Sequence, residues 1–226
     1  MDKYTIYIIC KNIDIFNNKK LLLEKNNNIC SFHWLPSQYL KLCENNLTLI
    51  NKLDTRYNTK EKNILAKLGC IAAHRNALLS IINNDSINNI ILEEDAELTN
   101  ILPNPPEKSC YLGGWIIPPQ ISKAGKINIH ISNLKKNDLN EINYDNYKIL
   151  TTHSLFIKSP DEAKHLLLST IQPTKIKNYD VFLANEKYLK YFYYPEIFNQ
   201  SKHKSEISNE NKNHNRTINY GLLNHL

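Results

Sequence analysis

The sequence predicts an α/β protein with a mostly parallel central sheet flanked by helices. An apolar strand at Tyr4–Cys10, a helix-like segment and a second short strand give the β-α-β order that opens parallel sheets. A long amphipathic segment at 60–83 then leads into a third apolar strand at 89–92. The chain has 226 residues, of which 42% are hydrophobic, enough for one domain with a sizeable core.

The first half of the chain supplies the strands that we expect at the centre of the sheet. Tyr4–Cys10 is apolar throughout, which favours burial on both faces. We expect a short helix over 17–25, a second strand over 31–35 and a polar loop over 45–60. In the long helix that follows, apolar side chains recur on one face at helical spacing: Ile64, Leu68, Ile71, Leu78 and Ile82.

The middle of the chain alternates irregular segments with short strands. Residues 99–109 contain three prolines and are predicted to be irregular. Short strands are expected over 110–112 and 127–131, and a clear strand at Ser154–Ile157.

The helix after this strand is predicted from its start signals. Ser159 is placed as the N-cap, Pro160 occupies the first helical position, and Glu162 completes a capping box. We expect this helix to continue through Leu168.

The last predicted elements are a helix over 181–189 and a strand at Tyr191–Tyr194, after which the composition becomes polar. We therefore divide the chain into a domain of residues 1–207 and a polar C-terminal tail of residues 208–226.

Composition and charge exclude several classes of protein. The net charge of +6 is mild and the lysines are dispersed, whereas nucleic-acid binders cluster basic residues. A small excess of lysine suits an enzyme that handles anionic, phosphate-bearing substrates. The five cysteines form no CxxC pair, which favours reduced thiols. We find no signal sequence and no transmembrane segment, so we expect a cytoplasmic protein.

Three consecutive carboxylates follow the third predicted strand, and we call Glu93, Glu94 and Asp95 the acidic triplet. A cation relieves their mutual repulsion, and carboxylates share Mg²⁺ or Mn²⁺ with substrate phosphates. Strand ends are also where ligand sites form in α/β sheets. If the segment stays extended, Glu93 and Asp95 point one way and Glu94 the other. By itself, the triplet is equally consistent with a solvated strand end.

The surroundings of the triplet resemble a known family. Residues 68–74 read Leu-Gly-Cys-Ile-Ala-Ala-His, and residues 90–98 read Ile-Ile-Leu-Glu-Glu-Asp-Ala-Glu-Leu. They are similar to the Gly-Cys-x-x-Ser-His helix and the Leu-Glu-Asp-Asp strand end of glycosyltransferase family 25, which includes lipopolysaccharide-type sugar transferases and collagen galactosyltransferases. Further similar segments follow in the same order: 111–113, 152–157, 179–180, 194–200 and 205–207.

The chain departs from the family pattern at four places. Ala73 replaces a serine, and Glu94 and Glu206 each replace an aspartate. Residues 17–19 read Asn-Asn-Lys where the family carries an arginine pair.

The resemblance implies a GT-A fold, a single Rossmann-like domain that binds a nucleotide sugar. It also implies inverting transfer of a sugar from a nucleotide-diphosphate donor, UDP-linked, to a hydroxyl of a glycan or glycoprotein acceptor. Mn²⁺ or Mg²⁺ would offset charge on the departing diphosphate.

The abundance of Asn, Ile and Lys also resembles the AT-rich coding of large DNA viruses, some of which encode such enzymes. A viral member would act in the host cytoplasm or with the virion.

The resemblance and the residue types together assign roles to individual residues. Asp95, Glu93 and His203 are the expected metal ligands. The expected donor-binding residues are Glu93, Glu94, His74, Arg75, Arg56 and Gly113, where either arginine would contact phosphate and the glycine would admit the sugar. Asp180 is the expected general base, with His153 and Asp180 binding the acceptor.

Each assignment has a structural alternative. Asp95 would stabilise a turn, Asp180 would cap a helix, His203 would be solvated, and His74 would be a helix residue whose hydrogen bonds are satisfied.

Two other functions remain open for the whole protein. The second function is a catalytically silent relative that serves as a binding module, since the arginine pair is missing. A metal-dependent nuclease or phosphatase is the third, and it would need a second carboxylate cluster besides Asp180.

Overall fold

The computed structural model describes residues 3–25, 30–38, 61–117, 134–145, 147–170, 179–201 and 218–219. Its helices are α1 (Ile13–Glu24), α2 (Glu61–Asn83), α3 (Pro160–Ser169) and α4 (Tyr179–Asn185). Its strands are β1 (Tyr4–Cys10), β2 (Cys30–Pro36), β3 (Asn89–Glu93), β4 (Ala96–Leu98), β5 (Cys110–Tyr111), β6 (Trp115–Ile117), β7 (Asp138–Glu141), β8 (Lys148–Leu150), β9 (Ser154–Ile157), β10 (Tyr191–Tyr194), β11 (Phe198–Gln200) and β12 (Ile218–Asn219).

A seven-stranded, mostly parallel sheet forms the centre of the molecule, in the order β2-β1-β3-β9-β5-β10-β7. Strands β9 and β7 run against the other five. After β1 the chain continues to β2, which lies on one side of the β1–β3 pair in the sheet. After β3 it continues to β5, which lies on the other side of that pair. The carboxyl ends of β1 and β3 therefore flank the point where the connections diverge, and such points form ligand crevices in open α/β sheets.

Two apolar cores cover the two faces of the sheet. On β1, Tyr7 and Ile9 face a core built with α2, α3 and α4. The alternate residues Ile6 and Ile8 face the second core, to which α1 contributes Phe16 and Leu23. Successive strand side chains point to opposite faces, so the apolar run of β1 fills both cores at once. The predicted class, an α/β protein with a mostly parallel central sheet flanked by helices, is confirmed.

Helix α1 begins at Ile13, four residues earlier than predicted. The side chain of Asn12 caps it by accepting a hydrogen bond from the Ile15 amide at 3.0 Å. Asparagine is a favoured N-cap, but the chain is so rich in asparagine that this signal did not stand out.

Helix α3 begins as predicted, with Ser159 as the N-cap and Pro160 at the first helical position. The Glu162 amide donates to the Ser159 hydroxyl at 3.3 Å. The reciprocal half of the capping box is not observed, because the Glu162 carboxylate accepts from the Ser109 amide at 3.3 Å. That bond ties the helix to the segment before β5.

Gly69 lets the chain after β2 cross close to helix α2. A Cβ at this position would lie 2.1 Å from the Gln38 carbonyl oxygen. A side chain of any size would push the helix away from the end of β2.

Most predicted elements are present. The differences concern the first and last residues of helices and the number of short strands. Helix α4 occupies Tyr179–Asn185 and not 181–189. The short strands β4, β6, β7, β8 and β11 were not predicted. The predicted loop at 45–60 and strand at 127–131 lie outside the described residues. Within the described ranges, no helix has the length and apolar character needed to cross a bilayer.

Part of the expected C-terminal tail returns to the domain. Ile218 and Asn219 form β12, which pairs antiparallel with Ile116 and Trp115 of β6. Strand β8 pairs with the other side of β6, so the three strands form a small sheet of their own.

Candidate functional site

The acidic triplet lies at the carboxyl end of β3, beside the end of β1. The segment does not stay extended, because β3 ends at Glu93, and Glu94 and Asp95 form a turn into β4. The condition under which strand alternation would put Glu93 and Asp95 on one side is therefore not met. Each of the three side chains instead has contacts of its own.

Glu93 is bound to helix α2 and to the segment before β9. Its Oε1 lies 2.9 Å from His74 Nε2 and accepts a hydrogen bond from the Thr152 hydroxyl at 2.7 Å. Thr152 comes within reach because β9 runs antiparallel to β3, and the Glu93 amide extends that pairing by donating to the His153 carbonyl at 2.9 Å. The start of β9 thus forms one wall of the site.

These contacts fix the ionisation of Glu93. Burial raises the pKa of its carboxyl, but hydrogen bonds from His74 and Thr152 and the attraction of the His74 ring outweigh the burial. The pKa therefore lies below its ordinary value, and Glu93 is a carboxylate at neutral pH.

His74 is held on α2 by both packing and hydrogen bonding. The ring is 1% exposed and packs on the ring of Tyr179, with centroids 4.7 Å apart. Its Nδ1 is buried and has no hydrogen-bond partner within the described part of the chain. These contacts show that His74 supports the packing of helices α2 and α4 as well as the position of Glu93.

Asp180 follows Tyr179 in the first turn of α4, and its charge is close enough to Cys70 to raise the pKa of that thiol. The helix begins at Tyr179, and Asp180 is therefore inside it and not its N-cap. The alternative role that we considered for Asp180, a helix cap, is wrong. Its Oδ1 accepts a hydrogen bond from the Val181 amide at 2.7 Å.

Cys70 lies one helical turn before His74 and close to the same carboxylates. Burial raises the pKa of its thiol well above the ordinary value, and the negative charges of Glu93, Asp180 and Asp95 raise it further. The ligand atoms of Cys70, His74 and Glu93 all lie within 4.8 Å of one another.

Asp95 is hydrogen-bonded to the end of β11 and to the residue that follows it. Its Oδ2 accepts from Gln200 Nε2 at 2.7 Å, and its carbonyl accepts from the Ser201 amide at 2.7 Å. Gln200 Oε1 and Ser201 Oγ of the same two residues are buried and have no hydrogen-bond partner among the described residues. Carboxylate, amide and hydroxyl oxygens are the donors that Mg²⁺ and Mn²⁺ prefer, so this donor set fits a hard divalent cation.

Glu94 and two lysines form the side of the site next to β1. Glu94 accepts a hydrogen bond from the Lys11 amide at 3.1 Å, and Lys11 Nζ lies 3.7 Å from its other oxygen. Lys19 of α1 donates to the Ala96 carbonyl. Burial lowers the pKa of Lys19, while the charges of Asp95 and Glu97 act in the opposite direction. Two lysines therefore lie beside the triplet, and one of them, Lys19, falls within residues 17–19, where the resemblance would place an arginine pair.

Gly113 and His153 pack against each other under β11. A Cβ on Gly113 would lie 2.0 Å from the Phe198 carbonyl oxygen and 2.6 Å from His153 Nε2. His153 is 2% exposed, and its Nε2 donates to that same carbonyl at 3.2 Å. The space above Gly113 is thus filled by protein atoms.

The segment before β9 is strained at Thr151. This residue is β-branched and has φ 86°, and such residues rarely adopt a positive φ. Its hydroxyl lies 2.8 Å from His153 Nδ1, so both ring nitrogens of His153 have partners inside the protein.

The remaining predicted residues are not brought to the triplet by the described structure. Arg75 follows His74 directly on α2, and neighbouring helical residues point to different faces. Arg56 and His203 lie outside the described residues.

Sequence reasoning missed several residues of the site. Cys70 carried a usable signal, since its spacing of four from His74 places both on one helical face. Gln200 lies in the segment 194–200 that carries part of the family resemblance, but we assigned no role to it. Thr152 had no local signal, because its contact with Glu93 depends on the antiparallel pairing of β9 with β3.

Comparison with protein-family models gives no match for this chain, and a search of curated proteins gives none either.

Proposed function

We propose that this protein is a metal-dependent, inverting glycosyltransferase of GT-A type. It would move a sugar from a UDP-linked donor to a hydroxyl of a glycan or glycoprotein. One observation carries the proposal: the acidic triplet lies at the carboxyl ends of β1 and β3, where the strand connections diverge. The ordered resemblance to glycosyltransferase family 25 supplies the reaction class.

The residues around the triplet support distinct tasks. Asp95 with the oxygens of Gln200 and Ser201 would hold Mn²⁺ or Mg²⁺, which supplies positive charge to the departing diphosphate when bound. Lys11 and Lys19 add cationic charge on the β1 side, where a diphosphate would need it. Glu93 and His203 remain predicted ligands of the same ion.

Asp180 is the proposed general base. Its charge raises the pKa of the Cys70 thiol together with those of Glu93 and Asp95, so the three carboxylates lie in the region around that thiol. An acceptor hydroxyl in that region would give its proton to Asp180 as it attacks the anomeric carbon from the side opposite the diphosphate.

Two observations favour the silent binding module as a second candidate. Gly113 and His153, expected at the donor sugar and the acceptor, are engaged in internal packing. A module of this kind would bind nucleotide without turnover.

Turnover separates the two candidates. The full chain is incubated with Mn²⁺ and a panel of UDP-sugars, and released UDP is measured over time. The enzyme proposal predicts slow donor hydrolysis with at least one sugar, lost when Asp180 is changed to Asn. UDP binding without release of UDP from any donor would favour the silent module.

A further inference from the structure

We propose that Cys70, His74 and Glu93 form a binding site for a borderline-soft divalent cation, with Zn²⁺ as the expected ion. Neither the sequence resemblance nor the proposed transfer reaction calls for this site. It shares Glu93 with the proposed Mn²⁺ or Mg²⁺ site, but its other donors are a thiolate and an imidazole in place of the oxygens around Asp95. It does not depend on the proposed function.

The spacing of the residues brings three ligand types together. Cys70 and His74 are four residues apart on α2, so they lie on one helical face. Glu93 at the end of β3 meets that face, with Oε1 2.9 Å from His74 Nε2. All three ligand atoms lie within 4.8 Å of one another, a span that small side-chain adjustments would close around one ion.

The chemistry of the donors selects the metal. Thiolate, imidazole and carboxylate are the usual ligands of Zn²⁺, whereas Mg²⁺ takes oxygen ligands and avoids sulfur. Three protein ligands leave a fourth position for water, as in zinc sites that bind substrate. Binding would release the thiol proton to solvent.

The surroundings favour a cation and hold the ligands in place. Asp95 and Asp180 contribute negative charge around Cys70. The Thr152 hydroxyl donates to Glu93, and the Tyr179 ring packs on His74. Partners of this kind orient metal ligands, and their loss typically costs about 10- to 100-fold in affinity.

Cobalt provides the test, because Co²⁺ bound to a thiolate gives a charge-transfer absorption in the near ultraviolet. The full chain without nucleotide is titrated with Co²⁺, and Zn²⁺ is then used to displace it. We expect the thiolate band at one equivalent, its loss in Cys70→Ala and its retention in Cys30→Ala, a matched change at another half-buried cysteine that forms no disulfide. Thr152→Val should keep the band and weaken binding about 10- to 100-fold.

Two results would overturn the site. One is the absence of a thiolate band at saturating Co²⁺, and the other is an equal band in Cys70→Ala. Circular dichroism of the metal-free variants checks folding. If Cys70→Ala does not fold, Glu93→Gln decides: the site requires weaker Co²⁺ binding with the thiolate band retained, and unchanged affinity would exclude Glu93 as a ligand.

Discussion

His74 Nε2 lies 2.9 Å from Glu93 Oε1, and this contact joins the long helix α2 to the carboxyl end of β3. The His74 ring is buried against Tyr179, whereas the Glu93 side chain is 27% exposed. One face of the ring thus supports the packing of α4, and one nitrogen holds a carboxylate at the edge of the sheet. Stability and the shape of the site depend on the same residue.

Replacing His74 with Ala should lower the free energy of unfolding by about 2–4 kcal/mol. The change leaves a cavity against Tyr179 and removes one of the two hydrogen bonds to a largely buried carboxylate. Chemical denaturation measures the effect. His165→Ala, on an exposed position of α3, is the control and should cost less than about 1 kcal/mol. Equal costs for the two variants would contradict the role given to His74.

The stability of the protein should depend on Glu93 in acid. The folded-state pKa of Glu93 is below its ordinary value of about 4.3, so its contribution is complete above that value and is lost as pH falls toward the lower pKa. Denaturation of wild type and Glu93→Gln between about pH 6 and pH 3 gives the comparison. The wild type should lose stability more steeply, by up to about 1.4 kcal/mol per pH unit. Parallel curves would show that Glu93 has an ordinary pKa.

Gly113→Ala should destabilise the protein by about 1–3 kcal/mol or more, because the new methyl group would overlap the Phe198 carbonyl and the His153 ring. The sign of the effect is informative. At a position with room for a methyl group, Gly→Ala stabilises a protein by about 0.4–1 kcal/mol, because alanine lowers the conformational entropy of the unfolded chain. A rise in melting temperature would mean that Gly113 faces open space, as its expected role beside the donor sugar requires.

Ser159→Ala should cost about 1 kcal/mol, because it removes the side chain that caps helix α3. Ser80→Ala is a matched control, since the Ser80 hydroxyl donates to the Asn76 carbonyl within α2 and caps no helix end. Thermal unfolding of both variants tests the difference. A smaller loss for Ser159→Ala than for Ser80→Ala would argue against the cap.

The sequence predicts those parts of the fold whose signal is local. The apolar run Tyr4–Cys10 and the start signals at Ser159 and Pro160 lead to the observed strand and helix. Strands of three or four residues such as β7 and β11 owe their existence to pairing with β10 and β4, and pairing partners distant in the chain leave no local pattern. For this reason β7 and β11 were missed, whereas β2, β5 and β10 were predicted.

The site likewise has a part that local sequence predicts and a part that it does not. Residues 89–95 alone predict the triplet and its place at the end of a strand. The direction of Glu93 depends on α2 packing against the sheet, and the surroundings of Asp95 depend on β11 pairing with β4 about a hundred residues away. Both are tertiary contacts, so sequence spacing could not assign them.

UDP binding in the presence of Mn²⁺ tests the proposed glycosyltransferase site most directly, and calorimetry measures it without knowledge of the donor sugar. The wild type should bind UDP only when Mn²⁺ is present. Asp95→Asn should weaken that binding at least about tenfold, equivalent to about 1.4 kcal/mol. Asp85→Asn, at an exposed turn before β3, should leave it unchanged. No binding by the wild type, or undiminished binding by Asp95→Asn, would contradict the proposal.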